Sequence, residues 1–159
     1  GDQKELDLLR RKIMVNAGKI IHASQDFYAH SNYVEIMETQ HANLADVPLI
    51  KVWEDEDQKR ILELKKQDNL ISGKAWWVFP KKCPKKSPSH GKLAKDSLKF
   101  DMGKRSTIWE DPDTKKTLNG FDVAYSFAED STYQFLLHTF KTYPLLKDYC
   151  GTEKSSEQH

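Results

Sequence analysis

Two stretches of this chain repeat their apolar residues at spacings of three and four, and that period constrains the fold more than any other feature. Leu9, Ile13, Ala17, Ile20, Ile21, Ser24 and Tyr28 form one continuous inward face on a helix over residues 5–30. Phe121, Ala124, Phe127, Ala128, Ser131, Phe135 and His138 form another over residues 119–142, which Pro144 ends. Ser31 and Asn32 read as a kink or an end, after which Tyr33 to Thr39 continues for another turn or two. "EDEDQKRILELKKQDN" has its acids first and its bases last, the polarity a helix dipole favours, and predicts a helix over residues 55–67. The stretch from Leu70 to Ser106 instead mixes prolines and glycines with lysines and reads as a long irregular Lys-rich loop. No convincing hairpin is present. The expectation is an all-α helical bundle forming one domain over residues 1–150, with a frayed tail over 151–159.

Charge narrows the function classes. A formal net charge of +1 excludes a globally basic nucleic-acid binder. The balance hides a local excess, because Lys74, Lys81, Lys82, Lys85, Lys86, Lys92, Lys95 and Lys99 crowd one segment. A solvated loop is the plain explanation; attraction of a phosphate-bearing substrate is the functional one. No apolar run approaches the roughly 18 residues that span a bilayer. Cys83 and Cys150 are compatible with one long-loop disulfide in a secreted protein, and equally with two thiols in a cytosolic one. A secreted or extracellular protein is the expectation adopted.

The chemistry concentrates in "HASQDFYAHSN". His22, Asp26 and His30 lie four residues apart within the first apolar helix, so all three project to one side of it, the outer two within about 80° of each other. Polar groups on a buried face cost several kcal/mol unless they are paired. Either these three satisfy one another within a polar core, or they hold metal. The helix rise sets His22 and His30 about 12 Å apart along the axis, too far to share one ion. The economical arrangement is two ions bridged by Asp26, with His22 on one and His30 on the other. Paired metals about 3.5 to 4 Å apart are used to clamp the attacking and leaving oxygens of a phosphodiester.

"GKIIHASQDFYAHSNYVE", followed by "SHGKLAKDS" and by the Ala- and Phe-rich helix ending in "FLLHTF", resembles the HET-C-like (heterokaryon-incompatibility protein) family, which includes bacterial and von Willebrand A domain-containing relatives. That family is distantly similar to zinc-dependent phospholipase C and to the fungal zinc single-strand nucleases, all-helical enzymes with three-metal sites. The resemblance implies that His22 and Asp26 match the histidine and bridging aspartate, and that His30 matches the next histidine at a slightly shorter spacing. It also makes His90 in "SHG" the replacement ligand, with Asp96 behind it. The chain departs from the enzymes in having no later His-x-x-x-Glu pair and no histidine before His22; Glu35 and His41 are near but differently spaced.

The function expected from this resemblance is a zinc-dependent phosphodiester hydrolase acting on a phospholipid. Two zinc ions would be held by His22, Asp26, His30 and His90, with Glu35 or Asp96 positioning the water. The alternative is a non-enzymatic HET-C-like module whose structural or vestigial metal site serves protein or membrane contacts. A nuclease is the further alternative: stacking aromatics in the cleft would favour it, and an apolar rim near Trp76 and Trp77 would favour lipid. Each residue also has a plainer reading. Asp26, His22 and His30 would be core hydrogen-bonding groups, His90 an exposed loop residue and Glu35 a surface acid. His138, on the apolar stripe, reads as a core histidine bonded to a carbonyl.

Overall fold

A computed structural model describes residues 2–73, 88–144 and 146 of the chain. Trp76, Trp77, Cys83, Cys150 and the lysines from Lys74 to Lys86 lie outside the described residues. The order is α1 (Gln3–His30), α2 (Tyr33–Gln40), a 3-10 turn (Leu44–Asp46), α3 (Asp55–Gln67), α4 (His90–Leu93), α5 (Asp101–Lys104), β1 (Ser106–Glu110), β2 (Thr117–Asn119) and α6 (Gly120–Thr142). The protein is thus mostly helical rather than all-α, with one small antiparallel sheet among the described residues.

Local signals explain the helix ends. Asp2 caps α1 by accepting from the Lys4 N–H at 3.1 Å. α6 opens on a reciprocal capping box: Asn119 accepts from the Asp122 N–H at 2.9 Å, and Asp122 accepts from the Asn119 N–H at 3.3 Å. α1 stops where Ser31 turns extended, its hydroxyl donating to Phe27 O and accepting from the Tyr33 N–H. The backbone groups released at that break are taken up by the segment after α3. The Asn32 N–H donates to Ile71 O, the Ile71 N–H to Asn32 Oδ1, and the Gly73 N–H to His30 O at 3.0 Å.

The long helices run side by side in opposite senses, since Tyr28 meets Phe127 while Ser24 meets Ser131 at 2.7 Å. Around Tyr28 lies the core, built from Tyr33, Val34 and Met37 of α2, Leu64 of α3, Trp109 of β1, and Val123 and Phe127 of α6. Tyr28 and Tyr33 pack edge to face at 5.6 Å. Both hydroxyls are used, Tyr28 Oη accepting from the Ile50 N–H at 2.9 Å and Tyr33 Oη donating to Pro48 O.

Two expectations change here. The inward face assigned to all of residues 9–28 closes fully only near its C-terminal end: Ser24 and Tyr28 are buried, Ala17 and Ile21 are half-buried beside Phe135 and Phe140 of α6, and Leu9, Ile13 and Ile20 are exposed. A helix of 28 residues is about 42 Å long and reaches past the core, and an apolar period identifies a face without saying what covers it. A hairpin, not expected from the sequence, is also present: β1 pairs antiparallel with β2. Its period of two is nonetheless in the sequence, with Thr107 and Trp109 buried and Ser106, Ile108 and Glu110 exposed. Asp111 Oδ1 builds the turn by accepting from the Asp113 and Thr114 N–H groups, and Lys115 takes a φ of 58°.

Candidate metal centre and cleft

His22, Asp26 and His30 stand on one face of the last two turns of α1. His22 Nε2 is 3.3 Å from Asp26 Oδ2, while His30 Nε2 is 3.8 Å from Asp26 Oδ1. Each carboxylate oxygen of Asp26 therefore faces a different imidazole. The face is not core: the His22 side chain is 77% exposed and that of Asp26 49%, with only His30 enclosed at 13%. Desolvation therefore bears on His30 alone, and the other two stand in the wall of an open cleft.

A second segment completes the group. The chain after α4 returns to the end of α1, where the Lys95 N–H donates to Ala29 O at 2.8 Å. This sets Asp96 Oδ2 3.6 Å from His30 Nε2. The His90 ring lies 4.0 Å, centroid to centroid, from that of His30. Gly73 makes this approach possible, because a Cβ there would stand 2.7 Å from the Cα of His90. Burial, and then the neighbouring His90 ring, hold the His30 pKa below its ordinary value, against the pull of Asp96 and Asp26. A neutral imidazole is the form that ligates metal.

The group opens into a cleft of about 610 Å³ between α1 and α6. Its near wall carries His22, Gln25, Asp26, His30 and Asp96; its far wall carries Phe121, Tyr125, Glu129, Tyr133 and Leu136 of α6. Gln25 Nε2 donates to Thr132 Oγ1 at 3.0 Å across the helix contact.

Glu35 goes elsewhere. Its carboxylate is 3.2 Å from Lys95 Nζ and 3.7 Å from Arg105 Nη2, and Arg105 in turn pairs with Glu38. It is part of a closed ion network rather than of the His-Asp group. Lys95 belongs to the lysine segment expected to be solvated, yet its side chain is 0% exposed, while Lys92 and Lys99 are exposed. Sequence reasoning missed Lys95, and the only signal for it was its place between His90 and Asp96 in "SHGKLAKDS". His138 is not a core histidine: it is exposed and stacks on Trp53 at 5.3 Å.

The donor set suits zinc in kind, being imidazole nitrogen and carboxylate oxygen. His30 Nδ1 is buried without a hydrogen-bond partner. The separations of 3.3 to 3.8 Å compare with about 3.3 Å between neighbouring ligands on a tetrahedral ion with bonds near 2.05 Å. As the side chains stand, the donors form a line from His22 to Asp96, and among the described residues no three His, Cys, Asp or Glu side chains enclose an ion. Comparisons with family models, with curated proteins and with solved structures find no match to the chain.

Proposed function

We propose that this chain is a zinc-dependent phosphodiester hydrolase resembling phospholipase C. The observation that carries the reading is that Asp26 presents one carboxylate oxygen to His22 and the other to His30 at the mouth of a cleft. This is the arrangement expected of a bridging carboxylate between two cations. When bound, zinc supplies a Lewis acid for a phosphoryl oxygen and lowers the pKa of water toward neutrality. Asp26 would bridge, with His22 and His30 on either side of it and His90 completing the donor set. Asp96, half-exposed beside His30, is better placed than Glu35 to orient a water, because Glu35 is engaged by Lys95 and Arg105.

Phospholipid and single-stranded nucleic acid are the two phosphodiester classes that fit. Phe121, Tyr125 and Tyr133 offer rings that could stack on bases or lie against an apolar chain. A second reading, the non-enzymatic module with a structural metal site, is favoured by the exposed Leu8 and Val15, which lie on one side of the outer half of α1 and are suited to protein or membrane contact.

One experiment separates the two readings. The metal-loaded chain is assayed on a choline phospholipid and on single-stranded nucleic acid, before and after chelation, while its melting is followed. Cleavage that chelation abolishes with the helical signal intact supports the hydrolase. A metal-loaded chain that cleaves neither substrate, yet melts on chelation, supports the module.

A further inference from the structure

We infer that Lys95 is a positioning residue, a clasp that fastens the segment carrying the proposed ligand His90 and, behind it, Asp96 to the end of the helix that carries His22, Asp26 and His30. The inference rests on the metal-site reading above and adds to it a residue with no ligating role of its own.

A fully buried ammonium is costly unless its protons are all accepted. Lys95 Nζ donates to Ser31 O at 2.7 Å, to Leu93 O at 3.0 Å and to Glu35 Oε2 at 3.2 Å, so three donors meet three acceptors. Their distribution is informative. Ser31 is the C-cap of α1, where the carbonyls left over by the helix concentrate negative charge. The Lys95 backbone N–H takes the carbonyl of Ala29. One residue thus grips α1 on both sides of His30, through its backbone at Ala29 and its side chain at Ser31. The next residue, Asp96, is delivered to within 3.6 Å of His30 Nε2. The bond to Leu93 O closes the loop on itself and fixes its curvature just after α4, which begins at His90.

The grip is braced from behind. Glu35 on α2 is shared by Lys95 and Arg105, Arg105 also pairs with Glu38, and Glu38 Oε1 accepts the Ile108 N–H at 3.0 Å. The charge that holds the Asp96 segment is therefore anchored to α2 and the hairpin, elements that carry none of the proposed ligands. Outer partners that orient ligands typically govern metal affinity by 10- to 100-fold.

The test is calorimetric titration of the whole chain with zinc, comparing Lys95→Met, Glu35→Gln and Glu38→Gln with the native protein, and recording helical signal and melting for each. The expected result is a fall in zinc affinity of about 10- to 100-fold in Lys95→Met and a smaller fall in Glu35→Gln. Glu38→Gln should melt earlier and lose less zinc affinity than Glu35→Gln, since Glu38 reaches Lys95 only through Arg105 and Glu35. If Lys95→Met does not fold, Glu35→Gln against Glu38→Gln decides by the same ratio. Native-like zinc affinity in folded Lys95→Met, or equal losses in Glu35→Gln and Glu38→Gln, would overturn the clasp and leave a merely structural lysine. A native chain that takes up no zinc overturns the metal-site reading and the clasp together. A native chain that binds zinc but cleaves nothing sinks only the hydrolase reading, because the affinity ratios still test the clasp.

Discussion

Two groups of ionisable side chains meet at the C-terminal end of α1, and they meet water in opposite ways. Lys95, Glu35, Arg105 and Glu38 close on one another with the ammonium fully buried. A few ångströms away His22, Asp26, His30 and Asp96 are spaced at 3.3 to 3.8 Å along the wall of a cleft, with both carboxylates about half exposed. The first network pairs its charges with one another, although Glu35 Oε1 and Arg105 Nε are left without a hydrogen-bond partner, and its worth is in fixing where the chain goes. A group that leaves its donors facing solvent contributes little to stability and is available for chemistry. The difference follows from burial: in a low dielectric unpaired charge is expensive and pairing is enforced, whereas water permits the open arrangement.

The largest effect expected from breaking this contrast is in the closed network. Lys95→Met leaves Glu35 facing only Arg105 and removes the donors to Ser31 O and Leu93 O, so stability should fall by about 3 to 5 kcal/mol, read from urea unfolding. A loss under about 1 kcal/mol would mean that the ammonium is not holding the segment.

Alkali tests the layer beneath both groups. Burial pushes the Tyr28 hydroxyl up to about 12 and raises that of Tyr33 further, above an ordinary value near 10. The folded state therefore holds these protons more tightly than the unfolded one. Stability is fully present below pH 10 and is lost as pH rises from 10 toward 12, by on the order of 2 to 3 kcal/mol for Tyr28. Tyrosinate absorbance should appear together with loss of helix, and Tyr28→Phe should reduce the loss. Normal titration of both tyrosines near pH 10 without unfolding would contradict their enclosure.

Glu38→Gln is the milder break, weakening a charged pair with Arg105 and the bond to the Ile108 N–H. It should lower stability by about 1.5 to 2 kcal/mol. The smallest effect on stability belongs to the open group. Asp26→Asn should change unfolding free energy by less than about 0.5 kcal/mol, since it removes an exposed pair and relieves Asp96 of a neighbouring like charge. The same variant should lose most bound metal, whereas His138→Gln, whose ring lies against Trp53, should leave metal content nearly unchanged. Equal metal losses in the two variants would mean that the site boundary is misdrawn.

The helices are legible in the sequence because their causes are local. Periodicity and the flanking residues placed α1, α3 and α6 within two residues of their ends: 5–30 against Gln3–His30, 55–67 against Asp55–Gln67, and 119–142 against Gly120–Thr142. A spacing of four fixes a shared face whatever the rest of the chain does, so the shared face of His22, Asp26 and His30 was legible too. Whether that face met core or water was not, because burial depends on which element packs against it, and the packing against α1 is tightest near Tyr28.

Only the tertiary structure could bring Asp96 and His90 to His30, some sixty residues away in the chain, through the Lys95 bond to Ala29 and the glycine at 73. Only it could take Glu35 out of the site by giving it a buried lysine, and turn that lysine from one of a solvated run into an anchor. Sequence records which side chains are able to pair. Which of them do is decided by the loss of water around each, a property of the folded surroundings that no local pattern carries.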